Sequence, residues 1–223
     1  NADNREEHIA HSRMIGEELS KKEAQLKTLE DEFTRLMALV PSIPCEGVPE
    51  GETDADNVEI RRWESPRKRN FPERDHIELA AMHGLVEFNG ARNIAGSRAY
   101  ALIGNGALLE LAVLRFAVDR VLEKGFVPLL PPLMVKHIAM FGTGYFPLGE
   151  AEAYEMERDK LFISGTSEVG LVSLHMNQTF DLAELPKRYV GISPCFRREA
   201  GAAGRDTKGL YRVHQFQKVE QIV

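Results

Sequence analysis

The stretch SPCFRREAGAAGRDTKGLYRVHQFQKVE, residues 193–220, carries the reading of the whole chain. Charged and aromatic residues alternate on both sides of a glycine-rich segment. Side chains on a β-strand point to opposite faces with a period of two. A strand over 186–200 therefore puts Cys195, Arg197 and Glu199 on one face. A second over 210–223 puts Arg212, His214, Phe216, Lys218 and Glu220 on one face, and Val213, Gln215, Gln217 and Val219 on the other. Paired as a hairpin across GAAGRDTKG, the two charged rows lie side by side. They form a floor of cations, carboxylates and one aromatic ring.

That set suits a nucleotide. Arginine offers phosphate a rigid fork of donors, a carboxylate accepts from an exocyclic amine, and phenylalanine supplies a stacking plane. The plain alternative is a solvated face with cross-strand ion pairs, each contributing well under ~1 kcal/mol. Alternation alone does not separate the two.

Bulk properties narrow the field. The chain has 223 residues, a formal net charge of −6 and 43% hydrophobic content, which fits one or two globular domains. No apolar run is long enough to span a bilayer and the polar N-terminus does not read as a secretory signal, so a cytoplasmic location is expected. With a mildly acidic balance, any nucleic acid must be held by a local basic patch. Cys45 and Cys195 stand far apart and the histidines lack HExxH spacing, which argues against a zinc site or a disulfide framework.

From about Asn4 to Val40 the composition is helical. Ile15, Leu19, Leu26, Leu29, Phe33, Leu36 and Val40 recur in a three-four pattern, a narrow seam that asks for a partner helix. Pro41 stops the helix. A proline-, glycine- and acid-rich linker follows, and VEIRRW is a strand candidate. RDHIELAAMHG reads as a short helix, with Asp75 as its cap, Gly84 at its end and His76 as a surface histidine at the helix start rather than a contact to a partner. SRAYALIG reads as a strand. ALLELAVLRFAVDRVLEKG is apolar around most of its circumference, which implies burial on more than one side, as a core helix or a subunit interface. The prolines of FVPLLPPLMV confine it to an edge. AYEMERDKLFIS reads as a hairpin, and GTSEVGLVSLHMNQT as a loop entering a helix. The fold class is α+β, an antiparallel sheet with flanking helices preceded by a helical arm.

GAAGRDTKG lacks the ending of a Walker loop and GNG is not GxGxxG, so neither phosphate-binding motif is indicated. Taken whole, residues 193–220 resemble motif 2 of the class II aminoacyl-tRNA synthetases, in the form found in the seryl family. Upstream, GTSEV resembles the serine-binding TxE segment, and GNGALLELAVLRFAVDRVLEKGFVPLLPPLMV resembles motif 1. NVEIRRW and RDHIEL resemble the connector, and the heptad helix the second helix of a tRNA-binding arm. The resemblance implies a partial arm over 1–40, a linker and connector over 41–75, and a partial catalytic domain over 76–223.

It also implies roles. Arg197 would hold the ATP α-phosphate and serine carboxylate as the catalytic residue. Arg198, Glu199, Arg212, Val213 and Phe216 would bind ATP, with Glu199 on the adenine amine and Phe216 stacked on the ring. Thr166, Ser167, Glu168 and Glu220 would bind serine, Glu220 reading its hydroxyl. Arg205 and Lys208 would meet the acceptor end of tRNA(Ser). ATP and Mg2+ are the implied cofactors, with the metal ligands mostly outside this chain, and the helix and strand of motif 1 imply a homodimer.

Adenylation is an attack by the substrate's own carboxylate on the α-phosphorus, so a site with Arg, Glu and Phe but no nucleophile is adequate to it. Cys195 accordingly reads as an apolar filler beside the site. Motif 3 has no counterpart here, and Gly170 stands where many relatives carry proline. The expectation is an internal fragment with little activity of its own. Two other readings stay open: a synthetase-like paralogue acting as a binding module or amino acid:carrier-protein ligase, and a coiled-coil interaction protein.

Overall fold

A computed structural model describes residues 2–65, 68–201 and 208–223. The chain divides into two units, Asn1–Arg62 and Trp63–Val223.

The first unit is dominated by one helix, α1 (Ala2–Met37). Its sequence has no proline and one glycine, and Glu18 pairs with Lys22 one turn on at 2.9 Å. The last turn tightens, with Leu39 and Val40 N–H groups donating to the carbonyls three residues back. Pro41 then bars continuation, because the residue before proline avoids the helical region. The seam residues stay in solvent: Leu19, Leu26 and Phe33 are all more than half exposed. VEIRRW forms no strand; Val58 and Ile60 are exposed in irregular chain. Alternation without a neighbouring edge to pair with does not make a strand.

The second unit opens with α2 (His76–Met82), where Asp75 and Glu78 form a reciprocal capping box and Gly84 takes positive φ just beyond the end. Strand β1 (Val86–Glu87) leads into α3 (Asn89–Ala95), and SRAYALIG contributes only the two-residue β2 (Ala101–Leu102), antiparallel to β1. Helix α4 (Asn105–Leu122) follows, then β3 (Val127–Leu129), β4 (Met134–Lys136) and α5 (His137–Gly142). The hairpin β5 (Tyr154–Met156) and β6 (Leu161–Ile163), then α6 (Ser167–Ser173), β7 (Tyr189–Phe196) and β8 (Gln215–Ile222) complete the order.

Two three-stranded sheets result, β4–β6–β5 and β3–β7–β8. The first is antiparallel. The second is mixed, since β3 runs parallel to β7 from Val127↔Tyr189 to Leu129↔Gly191. The parallel pair adds to the antiparallel sheet expected from the sequence: a crossover between β3 and β7 carries β4, the hairpin and α6, long enough to bring a strand back in the same direction. Proline-bearing β3 sits at the edge, as its missing donor requires.

Met140, Phe146, Ala153, Val169, Val135 and Ala139 form the core between the first sheet, α5 and α6. Helix α4 buries only Gly106 and Val118. Leu108, Leu109, Leu111, Val113 and Phe116 remain more than half exposed, so the burial expected on several sides is not supplied by the described residues.

α6 lies against β7 because residue 191 has no side chain. A Cβ on Gly191 would lie 2.6 Å from Leu171 Cδ1 and 2.7 Å from Ser167 Oγ. Gly170, inside α6, makes the matching approach to Pro131 and Pro132 on the other side. Gly191→Val is expected to lower stability by about 1–3 kcal/mol through overpacking. A reduced urea midpoint at unchanged slope reads this out; a wild-type midpoint contradicts the close packing.

Candidate functional site

The site is laid out by one register. β7 and β8 pair antiparallel with Gly191 opposite Glu220, Ser193 opposite Lys218 and Cys195 opposite Phe216. Directly opposed residues share a face, so Phe216, Lys218 and Glu220 rise from the same surface as Gly191, Ser193 and Cys195. The β7 row is small or absent in volume and sinks under α6; the β8 row is long and reaches over it.

β7 stops at Phe196, but pairing persists one step further: Arg197 N–H donates to the His214 carbonyl at 3.0 Å, and the His214 ring meets the Arg197 carbonyl at 3.0 Å. This holds Arg197 at the mouth of the hairpin. Its guanidinium carbon lies 5.3 Å from the centroid of the Phe216 ring, and its Nε donates to the Gly165 carbonyl at 3.3 Å. Arginine is thus tied both to the aromatic plane and to the TSE segment.

The second strand begins at Gln215, not Leu210, so Arg212 and His214 precede it. Glu199 takes positive φ (54°), which turns it out of strand geometry. Strict alternation therefore fails at both limbs. Glu199 and Arg212 nevertheless meet, with Arg212 Nη1 donating to Glu199 Oε2 at 2.9 Å and the Glu199 side chain only 13% exposed.

At the other end Glu220 is enclosed by donors. Its Oε1 accepts from Lys218 Nζ at 2.6 Å. Its Oε2 accepts from the hydroxyl of Thr166, from Ser167 Oγ at 3.0 Å and from the Glu168 N–H at 3.1 Å. Thr166 caps α6 and also accepts from Lys218 at 2.9 Å. Both lone pairs and the one proton of that hydroxyl are in use. Thr166 and Ser167 are buried, while the Glu168 side chain is exposed.

Among the described residues, Arg198 and Lys208 are exposed and enter none of these bonds, and Val213 is buried beside Arg212. Arg205 lies outside the described residues. Cys195 is fully buried, and burial pushes its thiol up, the state of an inert filler. No group of three or more His, Cys, Asp or Glu side chains is placed to hold a metal among the described residues. With Glu199 committed to Arg212, the donor set does not fit a Mg2+ site of its own. A cavity of about 620 Å³ in this unit is bordered by Phe196, His214, Gln215, Phe216 and Gln217, and neither Lys218 nor Glu220 lines it. We place the chemistry on the charged face, because a binding site needs convergent polar groups more than volume.

Comparison with known proteins shows what the chain is similar to. Residues 152–223 match the tRNA synthetase class II core domain (G, H, P, S and T). Over 222 residues the chain is 41% identical to a serine–tRNA ligase of Thermobifida fusca, a match covering all of this chain and 52% of that protein. The chain is a homologue of the serine–tRNA ligases. The seryl-tRNA synthetase of Pyrococcus horikoshii, solved in complex with ATP, superposes with a TM-score of 0.87 at 36% identity, covering 96% of this chain and 52% of that one. The cytoplasmic serine–tRNA ligase of Naegleria fowleri, solved with AMP, gives 0.80 at 30% identity, covering 91% and 48%. The chain spans about half the length of the curated relatives it matches.

Three features of this synthetase homologue's site lay outside what the sequence assigned. Lys218 stood on the right face without a role, yet it bridges Thr166 and Glu220; its place between Phe216 and Glu220 at period two was the available signal. Gly165 matters through its carbonyl and through a close approach in which a Cβ would lie 2.8 Å from Tyr145 Oη, neither of which a side-chain pattern reveals. His76, read as a surface residue, is half-buried and accepts from the Leu210 N–H, a contact 134 residues apart in sequence.

Glu220 shows how the site is balanced. Burial pushes its carboxyl up, but the hydrogen bonds from Lys218, Thr166 and Ser167 outweigh burial and hold it below the ordinary value of 4.5. A carboxyl depressed in the fold contributes stability above its ordinary value and loses it as pH falls through the folded value. The stability gap between wild type and Glu220→Gln should therefore narrow as pH drops below 4.5. Urea midpoints across that range test this; a gap independent of pH contradicts the charged network.

Proposed function

We propose that the protein carrying this chain activates L-serine with ATP to seryl-adenylate and transfers the seryl group to the 3′ end of tRNA(Ser). The observation that carries the reading is the placement of the Arg197 guanidinium over the Phe216 ring, on the strand face that ends in the hydroxyl-bound Glu220. Phe216 and Glu220 stand four residues apart on β8, roughly 13 Å along the strand. Adenine is assigned to the Phe216 end and serine to the Glu220 end, with Arg197 between.

In the first step a serine carboxylate oxygen attacks the α-phosphorus of ATP, the bond to pyrophosphate breaks, and pyrophosphate leaves with its electron pair. No protein nucleophile is consumed. Arg197 orients the serine carboxylate against the α-phosphate and stabilises the charge that spreads over the phosphoryl oxygens. Glu199, steadied by Arg212, accepts from the adenine amine. Arg198 and the Val213 backbone flank the nucleotide. In the second step a 3′-terminal ribose hydroxyl attacks the seryl carbonyl and AMP departs.

Selection for serine is assigned to Glu220, Thr166, Ser167 and Glu168. Glu220 is already satisfied by two hydroxyl donors, the group that distinguishes serine from alanine. A serine hydroxyl is a further donor of the same kind for this carboxylate, whereas alanine brings none, so the hydrogen bond to Glu220 is gained by serine alone. The exposed Glu168 carboxylate is assigned to the serine ammonium. Arg205 and Lys208 are assigned to the acceptor end of tRNA, and the α1 seam to a helical arm with a partner helix. The exposed apolar face of α4 supports a homodimer. A cytoplasmic location fits these substrates, and among the described residues no helix is long and apolar enough to cross a membrane.

Serine-dependent exchange of pyrophosphate into ATP by the full-length protein tests the reading. Arg197→Ala should lower kcat/KM for exchange by about 10²–10³-fold, the effect of removing a preorganised charge-stabilising donor. Exchange driven by another amino acid, or full activity of the variant, overturns it. The isolated 223 residues are expected to exchange little.

A further inference from the structure

The limbs that leave β7 and enter β8 are each held by a side chain from outside the hairpin. On the outgoing limb, Arg198 N–H donates to the Glu152 carbonyl at 2.9 Å and Gly201 N–H donates to Glu152 Oε1 at 3.2 Å. On the returning limb, Leu210 N–H donates to Nε2 of His76 at 3.1 Å.

His76 is well fixed for this. It is the first residue of α2, whose start is locked by the Asp75–Glu78 capping box. Its ring packs against Tyr211 with centroids 4.3 Å apart. The chain passes so near that a Cβ on Gly209 would fall 1.9 Å from Nε2, and Gly209 has φ of +75°. Only glycine meets both demands.

The chemistry of the ring is fixed by its partner. Because Leu210 N–H occupies Nε2, that nitrogen carries no proton, and the neutral ring keeps its hydrogen on Nδ1. Nδ1 is buried and has no hydrogen-bond partner among the described residues. A buried donor left without a partner is costly. An apolar ring of the same shape would pack against Tyr211 without that cost, so the worth of histidine here lies in its Nε2 acceptor.

Two residues beyond Leu210 stands Arg212, bonded to Glu199 across the hairpin mouth. We infer that His76 is a positioning residue for the nucleotide end of the site, fixing Leu210 and Tyr211 so that Arg212 meets Glu199. Glu152 does the same for the limb that carries Glu199. The inference rests on the proposed adenylation reading, since it assigns the Glu199–Arg212 pair to ATP.

The test is pyrophosphate exchange by the full-length protein with ATP and serine varied separately. His76→Phe keeps a ring against Tyr211 and removes the acceptor; His76→Gln restores a side-chain oxygen at similar reach. His76→Phe should raise KM for ATP on the order of tenfold and leave KM for serine unchanged. His76→Gln should recover most of that loss, and Glu152→Ala should show the same split between substrates. A His76→Phe variant with wild-type KM for ATP, an equal rise in both KM values, or a glutamine variant no better than phenylalanine overturns the inference. If His76→Phe does not fold, the ATP-to-serine split of Glu152→Ala decides it. A wild type without serine-dependent exchange sinks the adenylation reading itself; an active wild type with an unaltered phenylalanine variant sinks only the role of His76.

Discussion

The site depends on the register that sets Cys195 opposite Phe216 and Gly191 opposite Glu220. A slip of one residue would turn Phe216, Lys218 and Glu220 to the other face and bring Gln215 and Gln217 forward. Several features make that slip costly. Gly191 is the position that lets α6 lie on β7, and Val190 and Cys195 are fully buried. Moving any of them by one step would push a side chain into α6 or expose an apolar one. The packing of α6 on Gly191 thus sets which β8 side chains share its face of the sheet.

α6 couples packing to function a second time. Its first residues, Thr166 to Glu168, supply the donors that hold Glu220, while Val169 and Leu171 fill the core behind. The carboxylate sits where backbone N–H groups at the helix start are unsatisfied, and it is paired there with Lys218. Glu220 is therefore kept charged in a part-buried setting by the same element whose burial stabilises the unit. Lys218 links the two halves of this network, and through Gly165 the TSE segment also meets Arg197.

Much of this was legible in the sequence. Period-two alternation named Phe216, Lys218 and Glu220 as neighbours, and the structure keeps them on one face. Asp75 and Gly84 announced α2 by capping chemistry, and the hairpin over 154–163 followed from its charged turn. What failed did so for tertiary reasons. VEIRRW alternates but pairs with no strand among the described residues. Arg212 and Glu199 leave the strands, and positive φ at Glu199 breaks the face assignment, yet an ion pair brings them together. The parallel β3–β7 pairing depends on a long crossover, and His76 depends on a contact 134 residues away, neither of which a local pattern records. Resemblance to the seryl family supplied the roles that alternation could not.

The most direct measurement is a structure of the full-length protein with a non-hydrolysable seryl-adenylate analogue. The account predicts adenine stacked on Phe216 with its amine at Glu199, the phosphate-like group at Arg197, and the seryl hydroxyl at Glu220. An analogue bound against Gln215 and Gln217, or lying on the charged face without reaching both Phe216 and Glu220, would contradict it.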